Sequence, residues 1–72
     1  MKNTFTQAQI NALETRFKST TLMIFNIDVL SKNEKLDDGI DIACNAFDSE
    51  NYDLCTKILD LMNLSILKIL EL

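Results

Sequence analysis

The sequence predicts an all-α protein, either a small helical hairpin or a three-helix arrangement with a long C-terminal amphipathic helix. The 72 residues include no proline and one glycine, so the residues that punctuate hairpins and long loops are nearly absent. Apolar residues instead recur at spacings of three and four, which is the period of a helix. At this length we expect a single helical domain over residues 1–72.

The first helix has a well-marked start. Thr6 and Gln9 have the spacing of a capping box, and Phe5 and Ile10 occupy the positions of a hydrophobic staple around it. One apolar stripe follows at helical spacing: Ile10, Leu13, Phe17, Ile24 and Ile27. The capping box and the hydrophobic staple agree, and together they predict a helix beginning after Thr6.

The segment 22–30 is apolar at seven of its nine positions. It has no clean polar face, so we expect other parts of the protein to surround it on most sides. Thr20, Thr21 and the β-branched residues nearby also suit a strand, and the sequence leaves this alternative open.

Residues 31–38 are polar and are predicted to form the main connection. A second helix should follow, with Asp37 or Asp38 as its N-cap. Its buried stripe is expected to contain Ile40, Ala43, Cys44 and Phe47. Asp48 has the chemistry of a further cap, with Tyr52 at its staple position, so the chain either turns there into a last helix or continues unbroken.

The last helix has a wide apolar face. Its apolar side chains fill about 180 degrees of a helical wheel, whereas an ordinary surface helix has a stripe of roughly 100 degrees. They are Leu54, Cys55, Ile58, Leu59, Leu61, Met62, Ile66, Ile69, Leu70 and Leu72. Four charged residues interrupt this run, which argues against insertion into a membrane. We expect more apolar helix surface than so short a chain covers by itself.

Composition argues against several classes of function. The chain has no histidine and two cysteines, so it cannot build a Cys/His zinc site or a dense disulfide frame, and it lacks the commonest acid–base catalyst. We therefore expect no enzymatic activity and no cofactor. Cys44 and Cys55 are interpreted as free thiols that pack as small apolar groups. The three aspartates at 37, 38 and 41 are interpreted as helix-capping residues and not as cation ligands.

Charge is distributed unevenly along the chain. Residues 1–35 carry five basic and three acidic groups, whereas residues 36–72 carry two basic and eight acidic groups. An acidic field repels nucleic-acid phosphates and anionic lipid, so we expect neither as a partner. The first five residues lack the apolar run of a signal peptide, which favours a cytoplasmic location.

These observations favour a protein that binds another protein chain, itself helical, through exposed apolar helix faces. The predicted partner-binding residues are Leu54, Ile58, Leu61, Met62, Ile66, Ile69 and Phe25. Self-association would hide the same surface, so a homo-oligomer is the alternative. In that case the chain would be a small homodimeric regulator that masks a transcription factor or a toxin.

The segment Asp48-Ser49-Glu50-Asn51-Tyr52-Asp53-Leu54-Cys55, which opens a long apolar helix, resembles the second half of the small E-type needle co-chaperones of bacterial type III secretion. The resemblance covers about the last 25 residues by pattern, and it has no diagnostic motif. It implies a helical hairpin that joins a larger, repeat-built chaperone and keeps the needle subunit from polymerising early. Residues 43–62 also resemble part of a tetratricopeptide repeat, although one such unit cannot stand alone.

Overall fold

The computed structural model describes residues 4–71, which form four helices and no strand. The helices are α1 (Gln7–Asn26), α2 (Asp28–Ser31), α3 (Glu34–Asp48) and α4 (Tyr52–Leu70). Because α2 is a single turn of four residues, the described residues form three long helices and one short turn. The all-α prediction is confirmed, in its three-helix form with a long last helix.

The predicted start of α1 is confirmed in detail. The Gln9 amide donates to Thr6 Oγ1 at 3.1 Å, and the Thr6 amide donates to Gln9 Oε1 at 2.8 Å. This reciprocal pair satisfies backbone donors that the first turn of a helix leaves open. Phe5 and Ile10 both pack against the core, which agrees with the predicted staple.

For residues 22–30 the structure excludes one alternative and corrects one expectation. The strand alternative is excluded because α1 continues to Asn26 and α2 follows at Asp28. The expected enclosure also fails, since Leu22, Phe25 and Val29 are more than half exposed. A helix at the edge of a small bundle turns one face inward, so only the side chains on that face are buried.

The predicted connection over residues 31–38 is also wrong, because only Lys32 and Asn33 separate α2 from α3. Asn33 is the N-cap of α3, and its Oδ1 accepts a hydrogen bond from the Leu36 amide at 3.1 Å. Asp37 and Asp38 lie inside the helix. The segment is polar because six of its eight side chains are exposed, four of them on α3, while Leu36 is buried.

The chain does turn after Asp48, but Asp48 is the last residue of α3 and does not cap α4. The N-cap of α4 is Asn51, whose Oδ1 accepts from the Leu54 amide at 3.3 Å. The Asn51 amide also donates to Ala46 O at 2.8 Å, and the Glu50 amide donates to Phe47 O at 3.0 Å. These two bonds are those of a Schellman motif, which closes the end of α3.

The three long helices alternate in direction. Phe5 contacts Tyr52, with ring centroids 5.6 Å apart, and Arg16 pairs with Asp60 at 2.6 Å, so α1 and α4 run in the same direction. Because Phe47 contacts Tyr52 across the α3–α4 turn, α3 runs antiparallel to both. The core between the helices contains Leu13, Ile24, Leu30, Leu36, Ala43, Ala46, Tyr52, Cys55, Leu59, Met62 and Ile66.

Candidate protein-binding surface

Nine large apolar side chains among residues 4–71 remain exposed in the bundle. Four lie at the end of α1 and on α2, one lies on α3 and four lie on α4. They are Leu22, Met23, Phe25, Val29, Ile42, Leu54, Leu61, Leu64 and Leu67. Single exposed apolar residues are normal on a protein surface, so what matters is whether any of them border a concave site.

Ile42 and Leu61 border an open groove between α3 and α4, with a volume of about 480 Å³. We call it the α3–α4 groove. Its apolar lining comes from both helices: Leu36, Ile42, Ile58, Leu61, Met62 and Ile69. Its polar lining contains Asn33, Lys35, Asp38, Ser65 and Lys68. The lining includes no described residue of α1, so the groove lies on a side of the α3–α4 pair that α1 leaves open.

The floor of the groove depends on a close approach of α3 to α4. A Cβ atom at Gly39 would lie 2.9 Å from Met62 Sδ and 3.0 Å from Met62 Cγ. Glycine inside a helix costs about 1 kcal/mol relative to alanine, so its presence here is explained by contact with Met62 and not by helix propensity. Met62 thereby fills the space between the two helices, and Ile58 and Leu61 stand beside it on α4.

The structure separates the seven predicted partner-binding residues into three groups. Leu61, Ile58 and Ile69 line the groove, and Leu54 is exposed one turn before Ile58. Met62 and Ile66 are core residues, with 5% and 3% of their surfaces exposed, although Met62 also lies at the floor of the groove. Phe25 is exposed but lies on α1, away from the groove. The wide apolar face of α4 thus serves two purposes, because its centre packs in the core and one flank borders the groove.

The sequence reasoning did not identify Ile42 or Lys35 as part of the site. Ile42 is 46% exposed and lies off the buried stripe of α3. An apolar residue outside the buried stripe of an amphipathic helix indicates a candidate binding surface, because packing within the fold does not require an apolar side chain there. The polar pattern of residues 31–38 suits a connection, so it does not indicate that Lys35 lies on a helix beside the groove.

The charged groups beside the groove form no ion pairs with one another. Within residues 4–71, the ion pairs are Arg16 with Asp60 and Lys32 with Asp28. Lys35 and Lys68 take part in neither. The lining of the groove thus carries two ammonium groups and one carboxylate, Asp38, in a chain whose net charge is −4.

A second, smaller cleft lies between α1 and α3, with a volume of about 170 Å³. Phe17 and Phe47 line it together with Cys44, whose Sγ lies 3.9 Å from Asp48 Oδ2. Cys44 and Cys55 are both free thiols in the structure. Burial raises the pKa of the Cys55 thiol, the nearby Arg16 charge lowers it and Cys44 raises it slightly. A thiol with a raised pKa is a weak nucleophile at neutral pH.

Two further features bear on the chemistry of the described residues. No group of three or more acidic or cysteine side chains within residues 4–71 is arranged to hold a metal ion. No helix in that range has the length and apolar character needed to cross a bilayer.

Comparison with known proteins does not place this chain in a family: no family model, no curated protein and no solved structure matches it. Its function is therefore inferred from the geometry of its own surface.

Proposed function

We propose that this chain is a non-enzymatic protein-binding helper whose α3–α4 groove receives an amphipathic helix of another protein chain. The observation that carries the proposal is the pairing of Ile42 and Leu61, which are exposed on two different helices and face one apolar groove. Helices pack by inserting side chains between those of a neighbour, and a groove between two antiparallel helices is where a further helix is accommodated.

The free energy available from the groove is modest for two side chains and larger for the whole lining. Fully burying a leucine or isoleucine contributes about 1.5–3 kcal/mol. Since Ile42 is 46% and Leu61 is 60% exposed, covering both would contribute about 2–3 kcal/mol before the cost of association. The half-buried Ile58 and Ile69 extend the same surface along α4. A partner helix that covers all four side chains therefore gains more binding free energy than one that covers Ile42 and Leu61 alone.

The finer proposal is a co-chaperone or adaptor in type III secretion. It is supported by the segment 48–55, which opens a helix of 19 residues, as in the family that it resembles. The additional helix in this bundle departs from the two-helix hairpin of that family. In this proposal α3 and α4 form the hairpin and present the groove, while α1 covers the opposite flank.

A second candidate is a small homodimeric regulator. It is favoured by the position of Leu61, which is the central residue of α4 (Tyr52–Leu70). Two copies of α4 that cross antiparallel about a two-fold axis would place Leu61 against its own counterpart. The same groove would then be covered by a second molecule.

Site-specific photo-crosslinking in the native cell tests the proposed function. A photoreactive amino acid is placed at Ile42 or at Leu61, and as a matched control at Leu64, which is equally exposed on α4 but does not line the groove. We expect one discrete adduct with a different protein from positions 42 and 61, and no such adduct from position 64. A needle subunit or its chaperone in the adduct would support the type III secretion assignment.

Two results would contradict the proposal. An adduct made of two copies of this chain would establish the homodimer instead. Equal crosslinking from positions 61 and 64 would show that contact is not confined to the groove. Each variant is first checked by circular dichroism, so that only folded protein is compared.

A further inference from the structure

Lys35 is placed where its charge does not help its own fold. It lies in the first turn of α3, beside the positive end of the helix dipole, where acidic residues are stabilising and basic residues are not. Glu34 and Asp37 in the same turn complement the dipole, and within residues 4–71 Lys35 itself forms no ion pair. Its ammonium group is therefore exposed and unpaired at the edge of the α3–α4 groove, where a partner could contact it.

Lys68 lines the same groove from the other helix. Because α3 and α4 are antiparallel, the start of α3 lies beside the end of α4, and the two lysines border the same end of the groove. Lys68 also complements the dipole at the end of α4, so it has a role in the fold that Lys35 lacks. With Asp38 the groove lining has a net charge of +1, although the chain as a whole has −4.

We infer that the α3–α4 groove selects an amphipathic helix that carries carboxylates at one end, placed between Lys35 and Lys68. The inference rests on the proposed function and adds to it the chemistry and register of the partner. The apolar part of the groove supplies affinity for the apolar stripe of the helix. The two lysines at one end distinguish helices by charge, as rim charges at interfaces commonly do.

The spacing on α4 sets the register. Lys68 is seven residues beyond Leu61, so the two lie about 10 Å apart along the helix axis at a rise of 1.5 Å per residue. A partner residue that packs beside Leu61 is therefore followed by the carboxylates about two turns later. Either end of the partner helix satisfies this condition, according to the direction in which it lies in the groove.

The test uses three fluorescent helical peptides and the full chain, with binding measured by fluorescence anisotropy. All three peptides share an apolar stripe at i, i+3, i+4 and i+7, and the last turn carries glutamates, glutamines or lysines. We expect the glutamate peptide to bind roughly fivefold more tightly than the glutamine peptide, and the lysine peptide more weakly than both. The preference should disappear at about 1 M salt, where the Debye length is about 3 Å.

Matched variants assign the preference to the two lysines. Lys35→Gln with Lys68→Gln should bind the glutamate and glutamine peptides equally. The control, Lys18→Gln with Lys57→Gln, removes the same charge from positions that do not line the groove and should keep the preference. A preference that survives in the first variant, or is absent from the unmodified chain, overturns the inference while leaving the proposed function standing.

Three other outcomes bear on the groove itself. Failure of all three peptides to bind the unmodified chain would contradict the proposed function and with it the inference. Binding that Leu61→Glu leaves unchanged would also contradict both, because the peptide would then lie outside the groove. Sedimentation equilibrium at the same concentrations identifies a competing occupant. A dimer that is lost in Leu61→Glu and that excludes the peptides would place a second copy in the groove, and would overturn the inference.

Discussion

At the scale of single residues, Glu50 has a backbone conformation that glycine normally supplies. Its φ angle is 60°, at the position after the α3 cap where a Schellman motif requires a left-handed residue. For a residue with a Cβ atom this conformation costs about 1–2 kcal/mol. The hydrogen bonds that this turn allows Asn51 to form offset the cost.

Replacing Glu50 by glycine should therefore stabilise the protein. We expect the free energy of unfolding of Glu50→Gly to rise by about 0.5–1 kcal/mol, since relief of the strain exceeds the added entropy of the unfolded chain. Urea denaturation measures the change. Glu71, with φ of 57° at the C-cap of α4, is the control, and Glu71→Gly should have a smaller effect because Glu71 does not connect two described helices. A less stable Glu50→Gly protein would contradict this account of the turn.

Cys55 links burial to the pH dependence of stability. Burial raises the pKa of its thiol above the ordinary value of 9.0, so the unfolded chain releases this proton at a lower pH than the folded chain. The resulting stabilisation is complete below the unfolded pKa and is lost as pH rises through the folded pKa.

We therefore expect the free energy of unfolding to fall above about pH 9, with part of the fall due to Cys55. Denaturation curves at several pH values should show a shallower fall for Cys55→Ala than for the unmodified chain. Cys44→Ala, at the half-buried cysteine, should keep most of the fall. Equal slopes for the unmodified chain and Cys55→Ala would show that the buried thiol does not contribute.

At the scale of the elements, Asn51 connects two helices. Its amide closes the end of α3 by donating to Ala46 O, while its side chain caps α4 by accepting from the Leu54 amide. An asparagine side chain at an N-cap contributes about 1 kcal/mol relative to alanine. One residue therefore fixes both where α3 ends and where α4 begins.

Asn51→Ala should lower the free energy of unfolding by about 1–2 kcal/mol through loss of the cap. Asp48→Ala is the informative comparison, because Asp48 was the cap predicted from the sequence but is the exposed last residue of α3. It should change stability by less than about 0.5 kcal/mol. A larger loss for Asp48→Ala than for Asn51→Ala would reverse the assignment.

The start of one helix could be predicted from the sequence, and the start of another could not. The start of α1 was predicted correctly because two independent signals, the capping box and the staple, agreed at Thr6. The start of α3 was placed too late because its first residues are polar, and a polar segment suits a loop or the exposed face of a helix equally well. What decides between them is the burial of Leu36, which depends on packing and is not a local property of the sequence.

At the scale of the whole molecule, the bundle covers the centre of the apolar face of α4 and leaves one flank open. The width of that face was evident from the sequence, but the division of its residues was not. Met62 packs against α3 where Gly39 allows a close approach, and Ile66, one turn later on α4, is also buried. Leu61, the residue before Met62, instead lines the groove. Ile42 lies on α3 and lines the same groove as Leu61. Only the packing of α3 against α4 brings these two residues together.

In the proposed function, Leu61 contacts the partner and is not needed for folding. The most direct test is the free energy of unfolding of Leu61→Glu, with Leu59→Ala as the matched core substitution on the same helix, where Leu59 is fully buried. We predict a change within about 0.5 kcal/mol for Leu61→Glu and a loss of about 2–5 kcal/mol for Leu59→Ala. A loss above about 2 kcal/mol for Leu61→Glu would show that Leu61 belongs to the core, and the account of the groove as a docking surface would fail.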